Sequence, residues 1–340
     1  MARILITGAG GYIGTTLVKM ALEAGHQVVA LDRYFFGENL MHDFLQNRSF
    51  KIVKSDIRDV TVSDLEGTDV VMDLAALSND PAGQLNPDLT KAINHRGRVH
   101  VAEAAKKAGV PRYILASSCS IYGEGDSIAL TEESPANPLT EYAQSTYAAE
   151  CAAFKLRSDE FCVSALRNAT VFGLSRRMRF DLVVNQMTRN AVENGTIKVM
   201  GGGKQWRPLV HVMDVARAFL NIAEQPFDVV NGEAFNIGGD NYQIRSLAFI
   251  VRENLPFPVA IETLGDDRDR RDYNVSFEKA RNMIGFEAQY DVAFAVREIY
   301  EAIKSDSVDM GERTVTVDWY RHLLEAQKLL SQVELNGRIL

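Results

Sequence analysis

Glycines 8, 11 and 14 stand in Gly8-Ala9-Gly10-Gly11-Tyr12-Ile13-Gly14, between a short apolar run and a stretch with helical periodicity. Each answers a different steric demand. Gly8 permits a tight turn, Gly11 lets the backbone approach a pyrophosphate, and Gly14 lets helix and strand pack closely. The helix opening at Tyr12 and Ile13 aims unpaired amide groups and the positive end of its dipole at the same point. Asp32 ends the next apolar run at the ~20-residue separation expected of an acid that accepts hydrogen bonds from an adenosine ribose. Its carboxylate would repel a 2′-phosphate, which favours NAD; Arg33 is the neighbour that argues for NADP. A glycine-rich turn with no ligand is the plain alternative, and the strand, helix and acid around it weigh against that.

The elements that must position these residues are legible as an alternation. Apolar runs at Arg3–Thr7, Gln27–Leu31, Phe50–Val53, Asp69–Leu74, Arg112–Ser117 and Phe161–Leu166 have the length of buried strands. Tyr12–Ala24 places Ile13, Leu17, Met20, Ala21 and Ala24 on one helical face, with Gly25 as a stop. Asn94–Ala108 is another helix, ended by Gly109-Val110-Pro111. This repetition predicts an α/β fold with a doubly wound parallel sheet covered on both faces. After Arg167 the rhythm changes: Ser175–Arg179, Gly201–Pro208 and Gly265–Asp272 cluster glycine and arginine between helices expected near Asp181–Glu193, Val212–Ala223 and Ile244–Asn254. The chain thus divides into a sheet domain, 1–173, and a smaller lobe, 174–340, with Glu233–Gly238 returning a strand to the sheet.

Bulk properties narrow the class. With 340 residues, 46% hydrophobic and 24% charged, the chain can bury a large core and has the composition of an ordinary globular protein. The net charge of -8 comes without a basic run, which disfavours nucleic acid, although a few local arginines can still hold a diphosphate. Cys119, Cys151 and Cys162 have no framework spacing, and no signal peptide or membrane-length apolar run is present, so a reduced cytoplasmic setting is expected. The histidines form no ligand-spaced cluster, and no metal site is expected.

The glycine spacing resembles that of the extended short-chain dehydrogenase/reductase family, the nucleotide-sugar epimerases and dehydratases, and further segments match in order over nearly the whole chain. Asp56-Ile57 is similar to the family's adenine-contacting position, and Leu74-Ala75-Ala76 to the strand end that runs beside the cofactor. Asn94 stands where the family keeps an asparagine that supports the active site. Ser117-Ser118-Cys119-Ser120-Ile121-Tyr122-Gly123 resembles the catalytic serine/threonine strand; Arg167–Gly173 and Arg207–Asp214 are family-like too. The resemblance implies a Rossmann-like fold with a smaller C-terminal substrate-binding lobe, NAD held by these residues with Ser117 among them, and a nucleotide-sugar substrate.

In that family a tyrosine acts as acid/base, a serine or threonine hydrogen-bonds the substrate oxygen, and a lysine four residues after the tyrosine binds the nicotinamide ribose and lowers the tyrosine pKa. A free phenol titrates near ~10, so a base useful at neutrality needs a cation beside it. The resemblance places the tyrosine at Tyr142, its partner at Ser118 and the lysine position at Thr146, which carries no charge; Ser145 and Glu150 keep the match in register. Seen alone, a tyrosine one turn before a polar residue is more often packing. Three readings of Thr146 stand: an engineered replacement, a natural one with another cation in the role, or a protein that has lost hydride chemistry and kept binding. Removing a preorganised ammonium costs several kcal/mol of transition-state stabilisation, so low turnover is expected.

Family 4,6-dehydratases follow their catalytic threonine with an Asp-Glu pair that serves water elimination; here Cys119-Ser120 stands there. The leading expectation is an epimerase. A nucleotide-sugar dehydrogenase or ketoreductase is the alternative, with a dehydratase behind. A non-catalytic NAD-binding sensor would keep the glycines and Asp32 and tolerate Thr146, but would have less need of Ser118, Tyr142, Asn94 and Arg207. For the substrate, Arg207 and Arg271 match diphosphate-contacting arginines, whose guanidinium forks suit phosphate oxygens. Arg179, Ser78, Asn79, Cys119, Ser120 and Asn168 are the further candidates on the substrate side. Family members pair the helices that here are Asn94–Ala108 and Tyr142–Leu156, whose alanines permit close approach, implying a homodimer. The tail, Trp319–Leu340, has helical periodicity and no assigned role.

Overall fold

The computed structural model describes residues 1–123, 129–265 and 272–338. Its strands are β1 Arg3–Thr7, β2 Gln27–Asp32, β3 Phe50–Lys54, β4 Val70–Asp73, β5 Arg112–Ser118, β6 Cys162–Asn168, β7 Thr170–Phe172, β8 Thr196–Met200, β9 Trp206–His211, β10 Ala234–Ile237, β11 Asp240–Gln243 and β12 Ala260–Leu264. The main sheet has the order β10-β6-β5-β4-β1-β2-β3, with every pair parallel. Chain direction across the sheet reverses between β1 and β4, the crevice where doubly wound sheets bind ligands.

Apolar runs become strands here because both faces are covered. On one face Leu17, Val18 and Ala21 of helix Tyr12–Glu23 meet Val215, Phe219 and Ile222 of helix Val212–Glu224 over Ile4 and Ile6. On the other, Val101, Ala102 and Ala105 of helix Arg98–Lys107 and Ala153 of helix Glu141–Phe154 pack on Leu5, Leu115 and Val163.

One expected helix differs in its first turns. The helix expected from Asn94 is already wound at Lys91, runs as a π-helix over Lys91–Gly97, and becomes α only at Arg98. Wider winding of this kind often accompanies a functional contact. Here Asn94 lies fully buried within it and bonds Leu77 through both ends of its amide, accepting from the N–H at 2.8 Å and donating to the carbonyl at 3.1 Å.

The second lobe holds the sheet β11-β9-β7 and the parallel pair β12-β8, packed with helices Val183–Asn194, Ile244–Glu253 and Val292–Lys304 around Met187, Leu247, Val251 and Val296. The tail forms helix Thr316–Val333, which returns to the main sheet: Trp319 donates to the Phe35 carbonyl at 2.7 Å, and Tyr320 packs on Phe35 and Phe36. No helix among the described residues is long and apolar enough to cross a membrane.

Candidate active site

A cleft of about 550 Å³ opens at the carboxyl ends of the main-sheet strands, and its wall includes the glycine turn, Asp32, Ser118, Tyr142, Lys198 and Arg207. The turn leaves no room for side chains. A Cβ on Gly14 would lie 2.1 Å from the Gly8 carbonyl oxygen, and one on Gly8, whose φ is +67°, would lie 2.8 Å from the Ala75 nitrogen. The N–H groups of Gly10 and Tyr34 donate to Asp32 at 3.0 and 2.6 Å. Burial raises the Asp32 pKa and these amides oppose the rise. Arg33, also on the wall, donates to Asp56 at 3.0 Å. The Arg58 guanidinium, foremost among its neighbours, holds the Asp56 carboxyl down at about 2. Ile57, Tyr12, Ile13, Leu74, Ala75 and Ala76 also line the cleft.

The loop after β4 is stitched from several directions. Thr7 Oγ1 accepts from the N–H groups of Leu74 and Ala75 at 3.1 and 3.2 Å. Asn79 holds φ at +99°, a costly conformation for a residue with a side chain, and its amide fixes it by accepting from Ala82 N–H at 2.9 Å and donating to Asp181 at 2.8 Å. Arg179 grips Asp181 through Nε and Nη2, both at 3.0 Å, and reaches Ser78 at 3.3 Å.

Helix Glu141–Phe154 starts where Thr140 accepts from Ala143 N–H at 3.2 Å and donates to the Asp80 carboxylate. This cap sets Tyr142 on the same cleft wall as Ser118. Gly83 makes the approach possible, since a Cβ there would stand 3.1 Å from the Tyr142 Cβ. Burial and the Asp80 charge raise the Tyr142 pKa, while Ser118, Arg98 and Arg179 pull it down. One turn on, Thr146 is buried, and its hydroxyl has no partner among the described residues. A further turn on, Glu150 accepts from Ser117 at 2.5 Å and pairs with Arg167 at 2.6 Å. Ser120 Oγ and Asn168 Oδ1, from residues on the cleft wall, are likewise buried and unpartnered among the described residues.

Not every expected site residue reaches the cleft. Asn94 is a correction to the cofactor list: it lies off the cleft wall, and its two hydrogen bonds with Leu77 brace the loop after β4. Cys119 is another, buried with its thiol donating to the Arg167 carbonyl at 3.1 Å. Thr146 also stays behind the wall. Arg207 lines the cleft and donates to the Trp206 carbonyl at 2.7 Å; Arg271 lies outside the described residues. The sequence reasoning missed Arg98, Lys198, Gln205, Val317 and Tyr320, all on the wall. Arg177 is buried against Phe36, and its Nε has no partner among the described residues. Tail periodicity marked the last helix but could not say where it docks.

Residues 4–238 match the NAD dependent epimerase/dehydratase family. The chain belongs to that family. It is 32% identical over 319 residues to a UDP-glucose 4-epimerase of Mycolicibacterium smegmatis, covering 90% of this chain and 99% of the relative. Among solved structures it resembles MoeE5 in complex with UDP-glucose and NAD, with a TM-score of 0.78 at 26% identity over 90% of this chain and 99% of that one. The UDP-glucuronic acid 4-epimerase of Bacillus cereus shares the fold, with a TM-score of 0.80 at 23% identity over 89% and 99% of the two chains. This epimerase/dehydratase uses NAD, and its residues fit that cofactor. The crowded turn at Gly8 and Gly14 leaves backbone for a pyrophosphate, and the Arg33 guanidinium is already paired with Asp56.

Proposed function

We propose that this enzyme epimerises a sugar carried on a nucleoside diphosphate, with UDP the first choice, and that Tyr142 is its acid/base. The observation that carries this reading is that Tyr142 and Ser118 share the wall of a cleft that also holds the glycine turn and the cations Lys198 and Arg207. Bound NAD supplies the acceptor and donor of hydride. Ser118 accepts from Ser120 N–H at 3.1 Å, which orients its hydroxyl toward a sugar oxygen shared with Tyr142. Tyr142 then takes the hydroxyl proton as the ring carbon is oxidised and returns it after the sugar has turned its other face. Arg207 and Lys198 suit the diphosphate. Residues 1–173, with β10 beside them and β7 paired into the second lobe's sheet, mainly hold the cofactor in this reading, and 174–340 mainly hold the substrate. Neither Cys119 nor Ser120 supplies the carboxylic acid that favours water elimination. The M. smegmatis relative and UDP-glucose-bound MoeE5 support the substrate class.

The test is NMR of UDP-glucose and UDP-glucuronic acid incubated with the protein and NAD. Conversion to the epimer is expected, and Tyr142→Phe should lower it by about 10²-fold or more while NAD stays bound. Undiminished turnover in Tyr142→Phe, or no reaction with any nucleotide sugar, would remove the reading.

The assembly belonging to this proposal is a cytoplasmic homodimer through helices Arg98–Lys107 and Glu141–Phe154. Ala102, Ala104 and Ala105 are spent inside the chain's own core, so the contact would fall on partly exposed Ala148, Cys151 and Ala152. Light scattering at micromolar concentration should give twice the chain mass; a monomer would sink the dimer.

A further inference from the structure

The proposed function leaves Tyr142 without a cation on its own helix, whose charged residues are Glu141, paired with Lys91, and Glu150. Tyr142, Thr146 and Glu150 follow one another at single-turn intervals, so they share a face. Glu150 is committed to Arg167 and Ser117, and Thr146 is neutral with an unpartnered hydroxyl. Burial and Asp80 both favour the protonated phenol. A proton acceptor in that position needs a cation from another element.

We propose that Arg98 is that cation: a positioning residue that sets the charge around the Tyr142 hydroxyl in place of a lysine at position 146. This rests on Tyr142 being the acid/base. Arg98 opens the α-helical part of the Lys91–Lys107 segment, is 1% exposed and lines the cleft. Its guanidinium is bolted to the carboxyl ends of two neighbouring strands. Nε donates to the Asp73 carboxylate at 3.1 Å, and Nη2 donates to the Asp73 and Ala116 carbonyls at 2.8 and 2.7 Å. Ala116 stands two residues before Ser118 on β5, and Arg98, Ala116, Ser118 and Tyr142 all line the same cleft. Nη1 has no hydrogen-bond partner among the described residues. A guanidinium stays charged at every working pH, so the cation is permanent.

The charged groups that act on Tyr142 are Asp80, Arg98 and Arg179, and the two arginines differ in where their counter-ions sit. Arg179 is gripped by Asp181, and both line the cleft, so their charges largely cancel there. Asp73 is fully buried, is absent from the cleft wall and is held by the hydroxyls of Thr7 and Tyr113. Arg98 therefore shows its charge to the cleft with its carboxylate behind it. Burying an ion pair seldom improves stability over an apolar pair of the same volume, which makes a functional reason for this one worth testing.

The decisive readout follows Tyr142 itself. Protein carrying tyrosine labelled with ¹³C at Cζ, with the Tyr142 signal assigned by Tyr142→Phe, is titrated by NMR with NAD bound. In Arg98→Met the Tyr142 midpoint should move up by at least one pH unit, with a comparable move in the pH profile of kcat rather than of KM. Arg98→Lys should recover most of the shift. Because Arg98→Met leaves Asp73 buried and alone, the pair Asp73→Asn with Arg98→Met serves as the variant that can fold without either charge. Adding Thr146→Lys to that pair should bring the midpoint back. An unmoved Tyr142 midpoint in a folded, NAD-binding Arg98→Met or double variant would overturn the proposal. If the sugar reaction is absent but the midpoint moves, the proposed function falls while the charge assignment stands.

Discussion

Around Asp32 the contacts are local and made by backbone: Gly10 and Tyr34 donate their N–H groups, and Gly14 closes onto Gly8 within the same turn. Around Tyr142 they are distant and made by side chains. Ser118 comes from β5, Asp80 from the loop after β4, Arg98 from a covering helix and Arg179 from the other lobe. The difference teaches where each end of the cleft can change. A backbone cradle tolerates almost any neighbour but no added atom at its glycines. A constellation of side chains lets one element give up a charge if another supplies it, and Thr146 with Arg98 is the instance proposed here.

Gly14→Val should show the largest effect at the backbone end. The new Cβ falls 2.1 Å from the Gly8 carbonyl oxygen and 2.8 Å from Ala9 backbone atoms, none of which can rotate away. A cost of more than about 4 kcal/mol is expected, seen as lost NAD binding by calorimetry and a collapsed thermal transition. Gly25→Ala is the control: nothing lies within 4 Å, and only its φ of +82° is unfavourable, so about 1 kcal/mol is expected. If Gly14→Val bound NAD normally, the backbone account of this end would fail.

The same contrast explains what could be read in advance. The glycine turn, Asp32 and the main-sheet strands were legible because each is a short-range pattern with one steric meaning, as in β1 at Arg3–Thr7. That Tyr142 and Ser118 meet on one cleft wall was legible only through family resemblance, since nothing in the local pattern tells a packed tyrosine from one on a cleft. Arg98 was not legible. In the sequence it is one arginine in an amphipathic helix, and only the parallel pairing of β4 and β5 creates the carbonyl pair it bridges. Asn94 and Cys119 were misjudged for the converse reason: sequence position put them near the cleft, while Leu77 and the Arg167 carbonyl had already taken their polar atoms. Short strands such as β8, with exposed Lys198 between buried Ile197 and Val199, carry too little pattern to stand out from loops.

A smaller effect should come from the side-chain end, at the ion pair that holds the Tyr142 helix against the sheet. Glu150 is 1% exposed; it accepts from Arg167 at 2.6 Å and from Ser117 at 2.5 Å, joining the helix to β5 and β6. Glu150→Gln keeps the shape but leaves the Arg167 charge buried beside a neutral amide, at a cost of about 3 kcal/mol in denaturant unfolding. Asp56→Asn, at the cofactor end, breaks pairs with Arg58 and Arg33 that are partly open to solvent, and about 1 kcal/mol or less is expected. The sign of the second effect can be checked by pH. Since the Asp56 carboxyl is held down at about 2, its contribution is present above the ordinary carboxylate range and fades as pH falls through about 2. Asp56→Asn should therefore match the parent in strong acid and fall below it near neutrality. Equal losses from Glu150→Gln and Asp56→Asn at neutral pH would mean that burial does not separate the two ends of the cleft, and the comparison would have to rest on geometry alone.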